Sequence, residues 1–302
     1  MTDEHLDIER LLSATERCEF VVEPEADGQR LDRFLAEKMH FASRRRLQDH
    51  IRRGAVALEG RPARPSRRLC AGEIVRIEYE KIGRDLNRPD DIELEVLFED
   101  DVLLAIDKPS GLAAHPAGQE VARTVLTVAC LQAGHRAYRR LPHRLDRETS
   151  GVLVLAKTPQ AQRALSDAFS GDHVQKEYVA VVTGQLEAEN GTIDRPLLRE
   201  GYLSVCREHP DAKLARTDWS LEMRGERATR LALWPRTGRR HQLRAHLASI
   251  GHPILGDPLY GDAGSAPRLA LHARRIELPH PRTGRALEIV APVPDHPVFH
   301  LT

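Results

Sequence analysis

The chain has 302 residues, with 45 acidic and 45 basic side chains, 41% hydrophobic residues and only 4% aromatic ones. That length holds one large domain or two unequal ones around a real core, and no apolar run approaches the roughly 18 residues of a membrane span. The opening MTDEHLDIER is too polar for a signal peptide. The four cysteines, at 18, 70, 130 and 206, lack the CxxC spacing of a zinc site or a disulfide framework, so a reducing cytoplasm is expected.

The zero net charge conceals a polarity. Residues 1–27 hold nine acids against Arg10 and Arg17, a net −7, whereas residues 43–76 hold ten arginines against Asp49, Glu59 and Glu73, a net +7. The first stretch reads as an acidic lead segment whose order the sequence leaves open, and its opposite charge suggests docking on the basic stretch. Residues 28–80 read as a small α/β unit. Leu31, Phe34, Leu35 and Met39 recur at helical spacing, and a second helix starts at Ser43, buries Leu47 and Ile51 and stops at Gly54. AVALEGRP and GEIVRIEY read as strands. Arg44, Arg45, Arg46, Arg52 and Arg53 cover the exposed side of the second helix. A solvated face is the ordinary explanation of one charge run. An excess continuing through Arg61, Arg64, Arg67 and Arg68 favours a phosphate-bearing partner, since self-repulsion destabilises so small a unit.

The segments GQRLDRFLAEK, SRRRLQDHIRRGAV and AGEIVRI resemble the RNA-binding module of small-subunit ribosomal protein four, with ALEG standing where that family usually has asparagine before the glycine. Residues 81–91 read as a polar linker. From residue 92 to 302 many short alternating segments, among them VLLAIDKP, GVLVLAK, KEYVAVVTG, RTDWSLEM and TRLALWP, stand beside few helices, one near 160–169 and one near 239–250. That pattern predicts an α+β domain with a mixed, largely antiparallel sheet.

The chain has no phosphate loop of the GxxxxGK[ST] type, no GxGxxG turn, no GxSxG elbow and no HExxH pair, so nucleotide-dependent, serine-hydrolase and zinc-protease chemistry lose their usual signals. No metal or cofactor is expected. Three clusters remain. HRLDRETSG, residues 143–151, sets Arg144, Asp146 and Arg147 directly before an apolar run. KEYVAVVTG puts Lys176 and Tyr178 on one face of a strand. TGRRHQLRAH begins with a glycine turn and opens a helix on which Arg240 and Arg244 share a face, suited to presenting Arg244 to a buried carboxylate. Each cluster alone is most often structural: a loop aspartate is seldom catalytic and a strand tyrosine is usually core. Together they supply a carboxylate, a cation and an aromatic hydroxyl, and a carboxylate beside an arginine is favoured in its ionised form.

These three motifs, with KPSGLAAHP at 108–116 and GHPILGDPLYG at 251–261, resemble in order and register the RluA family of pseudouridine synthases. The resemblance implies a cofactor-free isomerisation of uridine in RNA. It makes Asp146 the catalytic carboxylate, acting as nucleophile or as base at the ribose. Tyr178 would stack on the uracil and help remove the C5 proton, and Arg244 would pair with Asp146. Arg144 would occupy the space of a flipped-out uridine and contact phosphates, with Lys176 and Arg240 as further RNA contacts. With the basic module alongside, large-subunit ribosomal RNA is the favoured substrate. The same motifs also fit relatives that modify transfer RNA, and an idle RNA-binding protein or a nuclease are the competing classes. A monomer with no membrane association is expected.

Overall fold

The computed structural model describes residues 15–39, 44–58, 61–80, 92–115, 124–133, 139–171 and 173–301. The expected cap Ser43, the turn at 59–60 and the linker 81–91 lie outside the described residues. The chain divides into two units, 1–92 with 115–135 and 93–114 with 136–302.

In the first unit, β1 (Thr15–Val21), α1 (Leu31–Lys38), α2 (Arg44–Arg52), β2 (Val56–Leu58), β3 (Arg61–Pro62) and β4 (Ile74–Glu80) form a four-stranded sheet of order β1-β4-β2-β3 with two helices. Leu31, Phe34, Leu35, Met39, Leu47 and Ile51 are buried as their spacing predicts, and Gly54 takes the left-handed turn (φ 81°) that ends α2. The unit begins earlier than Gly28. Residues 15–21, expected in the acidic lead, pair with β4 as an edge strand, because Cys18, Phe20 and Val22 turn inward onto the same core. The acids of this stretch meet cations there, Glu23 with Lys38 at 2.9 Å and Glu19 with Arg76. α3 (Val125–Gln132) also belongs to this unit, and Gln132 Nε2 donates to the Ile92 carbonyl at 3.1 Å.

The second unit is built on a nine-stranded sheet. Its strands are β5 (Glu95–Glu99), β6 (Leu103–Lys108), β7 (Ser150–Ala156), β8 (Gln175–Thr183), β9 (Asn190–Asp194), β12 (Arg216–Arg224), β13 (Ala228–Pro235), β14 (Leu271–Pro279) and β15 (Ala286–Val290). The order is β5-β6-β7-β14-β8-β13-β12-β9, with β15 on β14, and every pairing is antiparallel except β7 with β14. A two-stranded sheet, β10 (Leu197–Glu200) with β11 (Leu203–Cys206), stands apart. α4 (Pro159–Ser170) is capped by the Thr158 hydroxyl, which accepts from the Ala161 N–H at 3.1 Å, and α5 is Gln242–Ser249. All seven residues of β7 are buried, which is why the run after Asp146 is apolar throughout. At about 1.5–3 kcal/mol per fully buried large aliphatic side chain, β7 is a strong anchor for whatever precedes it.

Candidate active site

Asp146 stands in the loop that feeds β7, and the loop is held chiefly through its backbone carbonyls, with Arg147 Nε donating to the Gly111 carbonyl at 3.0 Å. The Thr149 N–H closes a turn on the Asp146 carbonyl at 3.2 Å. The loop 108–111 clasps this turn. Lys108, fully buried, donates from Nζ to the carbonyls of Pro109, Leu112 and Arg147 at 2.9, 2.7 and 2.9 Å. The Gly111 N–H donates to the Arg147 carbonyl at 2.9 Å, and the Ser110 hydroxyl donates to the Glu148 carbonyl at 2.7 Å. Burial pushes the Lys108 ammonium down to about 7, while the Glu148 and Asp146 charges draw it back up. A buried cation with three carbonyl partners is satisfied, and it fixes the residue after the aspartate.

The carboxylate meets α5. Arg244 Nη1 lies 3.5 Å from Asp146 Oδ2, and His241 Nε2 lies 3.9 Å from Oδ1. The expected Arg244–Asp146 pair is present but long. The short, two-pronged bond of Arg244 goes to Asp257, at 2.8 Å from Nε and 2.6 Å from Nη2. Asp257 is itself fully buried and accepts the N–H groups of Leu259 and Tyr260. Burial alone would lower Arg244, but the bond and charge of Asp257 override it, so the guanidinium is held above its ordinary range and stays charged. Arg240 does not share a helical face with Arg244, because α5 begins only at Gln242 and Arg240 lies exposed in the preceding turn.

That turn is fixed by Gln242, whose buried amide is fully used. Its Oε1 accepts from the Thr237 hydroxyl and the Arg239 N–H at 2.7 and 3.0 Å, and its Nε2 donates to the Arg216 carbonyl and the Thr217 hydroxyl oxygen at 2.9 and 3.1 Å. His246, the other histidine of the helix, is buried scaffold, with its ring nitrogens on Thr217 Oγ1 and the Arg195 carbonyl oxygen at 2.9 and 3.0 Å.

A cavity of about 410 Å³ opens above Asp146, and Arg144, Lys176, Tyr178, Arg240 and Arg244 all line it. The structure therefore brings together the three expected catalytic residues and three of the expected RNA contacts. Burial, with a smaller contribution from the Asp146 charge, raises the Tyr178 phenol well above its ordinary value, so it stays protonated. His143 also lines the cavity. It stacks on Phe169 with ring centroids 4.4 Å apart, and its Nε2 accepts the Val154 N–H at 3.0 Å. Burial and the nearby Lys176 charge push His143 down to about 3, leaving it neutral.

The other expected RNA contacts lie in the first unit. Arg44, Arg45 and Arg52 edge one face of α2 with Gln48 and Asp49, and Arg53 follows the helix, exposed. They are not an uncompensated cluster. Arg44 donates to Asp32 Oδ2 at 2.9 Å from Nη2, and Arg52 is paired with Asp49. Asp32 is fully buried and also takes bonds from Arg30 and Gln48. Burial alone would raise its carboxyl, but these bonds hold it well below the usual range. Asp257, Tyr260, Lys108 and Gln242 were not singled out from the sequence, although all four fall inside motifs it displays.

A mixed sheet carrying an aspartate loop against an arginine helix, with a cavity between them, has the make-up of a catalytic unit. A model of the RNA pseudouridylate synthase family matches residues 102–249, and an S4 domain model matches residues 29–75. The chain is 38% identical over 296 residues to a ribosomal large subunit pseudouridine synthase D of Xanthomonas campestris, an alignment spanning 91% of this chain and 88% of that protein. It is 34% identical to a ribosomal large subunit pseudouridine synthase C of Pasteurella multocida, over 94% of this chain and 93% of that one. Among solved structures, human RNA pseudouridylate synthase domain containing 4 superposes with a TM-score of 0.57 at 29% identity, covering 67% of this chain and 89% of the human one. The chain belongs to the RNA pseudouridylate synthase family, and its enzymatic class is that of an RNA pseudouridine synthase with an S4 domain.

Proposed function

We propose that the protein isomerises specific uridines of large-subunit ribosomal RNA to pseudouridine, with Asp146 as its catalytic carboxylate. The observation that carries this reading is Asp146 itself, set on a clasped loop at a cavity with Arg244 3.5 Å away. The names of the relatives in Xanthomonas campestris and Pasteurella multocida support the choice of RNA. The reaction breaks the N1–C1′ bond, turns the uracil, forms the C5–C1′ bond and releases the C5 proton, with no change of oxidation state. Asp146 acts at the ribose, as nucleophile or base, and Arg244 keeps its negative charge balanced in a site partly closed to water. Tyr178 stacks on the uracil. Its raised pKa suits a stacking ring and hydroxyl donor and disfavours it as the base for the C5 proton. Arg144 fills the place of the flipped nucleotide, Lys176 and Arg240 contact phosphates, and Arg45 and Arg53 of the first unit add salt-sensitive affinity together with Arg44 and Arg52.

In this reading the first unit, with the edge strand at 15–21 added to residues 28–80, is the RNA-binding module, 81–91 is a linker, and the unit of 93–114 with 136–302 is catalytic, working in the cytoplasm without metal or cofactor. A site lined from one unit suits a monomer, and four cysteines that form no disulfide suit a reducing compartment. The test is tritium release from RNA labelled at uridine C5, with ribosomal and transfer RNA supplied separately and Asp146→Asn as control. Release from ribosomal RNA, abolished by Asp146→Asn, is expected. Release only from transfer RNA would move the substrate, and tight binding without release would make the protein an idle RNA binder.

A further inference from the structure

Outside the aspartate, arginine and tyrosine, one side chain at the cavity is held at conformational cost. His241 is the only non-glycine residue among those described with a positive φ, at φ 53° and ψ 23°. A side chain rarely adopts this left-handed region unless its surroundings determine it, and such residues concentrate at functional sites. Here Gln242 fixes the turn on one side, and the first helical bond, from the Ala245 N–H to the His241 carbonyl at 2.9 Å, fixes the other. The ring is buried, with its side chain 8% exposed.

The ring's two nitrogens face different partners. Nδ1 lies 3.0 Å from Tyr260 Oη, and that same oxygen accepts the Ser204 N–H of β11 at 2.8 Å. Tyr260 Oη accepts there, so its own O–H is free to donate to Nδ1, the arrangement that puts the ring proton on Nε2. Nε2 points to Asp146 Oδ1 at 3.9 Å, while Arg244 stands on Oδ2. The exposed Arg240 reaches the same nitrogen only at 3.5 Å, the limit of a hydrogen bond.

We propose that His241 is a positioning residue of the isomerisation: held by Tyr260, it donates from Nε2 to Asp146 Oδ1 as the site closes on RNA, and so fixes the reacting oxygen on the side opposite Arg244. The inference rests on Asp146 being the catalytic carboxylate. The 3.9 Å gap is of the kind that shortens once substrate excludes water. Burial lowers His241 below its ordinary value, against the upward pull of Asp146 and with Arg244 and Arg240 pushing the same way as burial, while Asp257 raises it. It is therefore neutral at working pH. Protonation at acid pH turns the contact into a full ion pair that ties up the carboxylate, so activity falls on the acid side.

The test compares single-turnover rates and RNA affinity for His241→Asn, His241→Gly and Tyr260→Phe between pH 5 and 8, beside Asp146→Asn. Asparagine and glycine both accept the left-handed backbone, so the turn survives. Expected are a turnover slower by about tenfold for His241→Asn and His241→Gly, a smaller fall for Tyr260→Phe, unchanged RNA affinity and loss of the acid limb. An unchanged rate, an unchanged acid limb, or a defect confined to affinity would overturn the proposal. Turnover surviving Asp146→Asn would instead remove the reading on which it stands.

Discussion

At the scale of single residues, the site is organised by buried charges that each have a named partner. Arg244 depends on Asp257 more than on Asp146, because the two-pronged bond is to Asp257 and both groups are removed from water. Asp257→Ala leaves a buried guanidinium without its partner. It is expected to cost roughly 3–5 kcal/mol in denaturant unfolding, whereas Asp146→Asn is expected to lie within about 1 kcal/mol of the parent. Equal losses for the two would show that the Asp257 bond is not the structural one. His143 gives a pH signature. Its folded-state value is about 3, so the unfolded chain takes up a proton near the ordinary 6.5 while the native ring cannot. Stability from this group is complete above pH 6.5 and lost progressively as pH falls toward 3. His272, pushed by burial to about 4, behaves alike. His143→Gln should flatten part of the stability decline between those pH values, and an unchanged slope would reject the neutral, buried ring.

At the scale of elements, the helical spacing in the first unit and the apolar run of β7 were legible because each follows from a period or a run that a sequence displays directly. β9, β10, β11, β14 and β15 were not. β14, LHARRIELP, carries His272, Arg274 and Arg275 in its middle, and their partners lie on other strands: Ser150 Oγ at 2.9 Å for His272, and Glu177 for both arginines. Polar residues satisfied across a sheet look like loop residues until the sheet is seen. The site divides in the same way. Motif order put forward Asp146, Tyr178 and Arg244, which line one cavity, whereas Asp257 and Tyr260 reach them through contacts to residues 13 and 19 positions away, which spacing does not reveal. The clasp of 108–111 on the Asp146 loop likewise needed three dimensions. β7 also imposes a steric condition on β14. Gly151 has φ 111°, and a Cβ there would fall 2.2 Å from the Ala273 carbonyl oxygen. Gly151→Ala is expected to destabilise by more than about 4 kcal/mol or to prevent soluble expression, and a melting temperature near that of the parent would contradict the close approach.

At the scale of the whole molecule, a formally neutral chain divides its charge between stretches, and many of the arginines that give residues 43–76 their excess are already paired. Glu19, Asp32, Asp49 and Glu73 hold Arg76, Arg44, Arg52 and Arg67 respectively. The salt dependence of RNA binding should therefore be shallower than the arginine count suggests. Arg45→Ala with Arg53→Ala, which touch no described carboxylate, should lower the slope of log K against log salt by about 1.4–1.8, at roughly 0.7–0.9 per phosphate contact. Arg44→Ala, whose guanidinium is shared with Asp32, should lower it by less than Arg45→Ala does, and an equal fall would contradict that commitment. Residues 1–27 cannot be treated as a detachable acidic tail either, since removing them deletes the edge strand β1 as well as the acids.

The parallel pair of β7 and β14 has a temporal meaning. Ser150 and His272 stand 122 residues apart in sequence, yet they adjoin across the seam that seats the aspartate loop. Such distant pairings form late, because a long stretch of chain must be closed before any contact rewards it. During synthesis the ribosomal-protein-like unit would be complete while the strand that finishes the catalytic seat is still being made. A nascent chain stopped before residue 270 should hold a folded first unit and no turnover. Protease protection of residues 15–80 at that length, with activity appearing only after β14 has emerged, is the order this seam predicts.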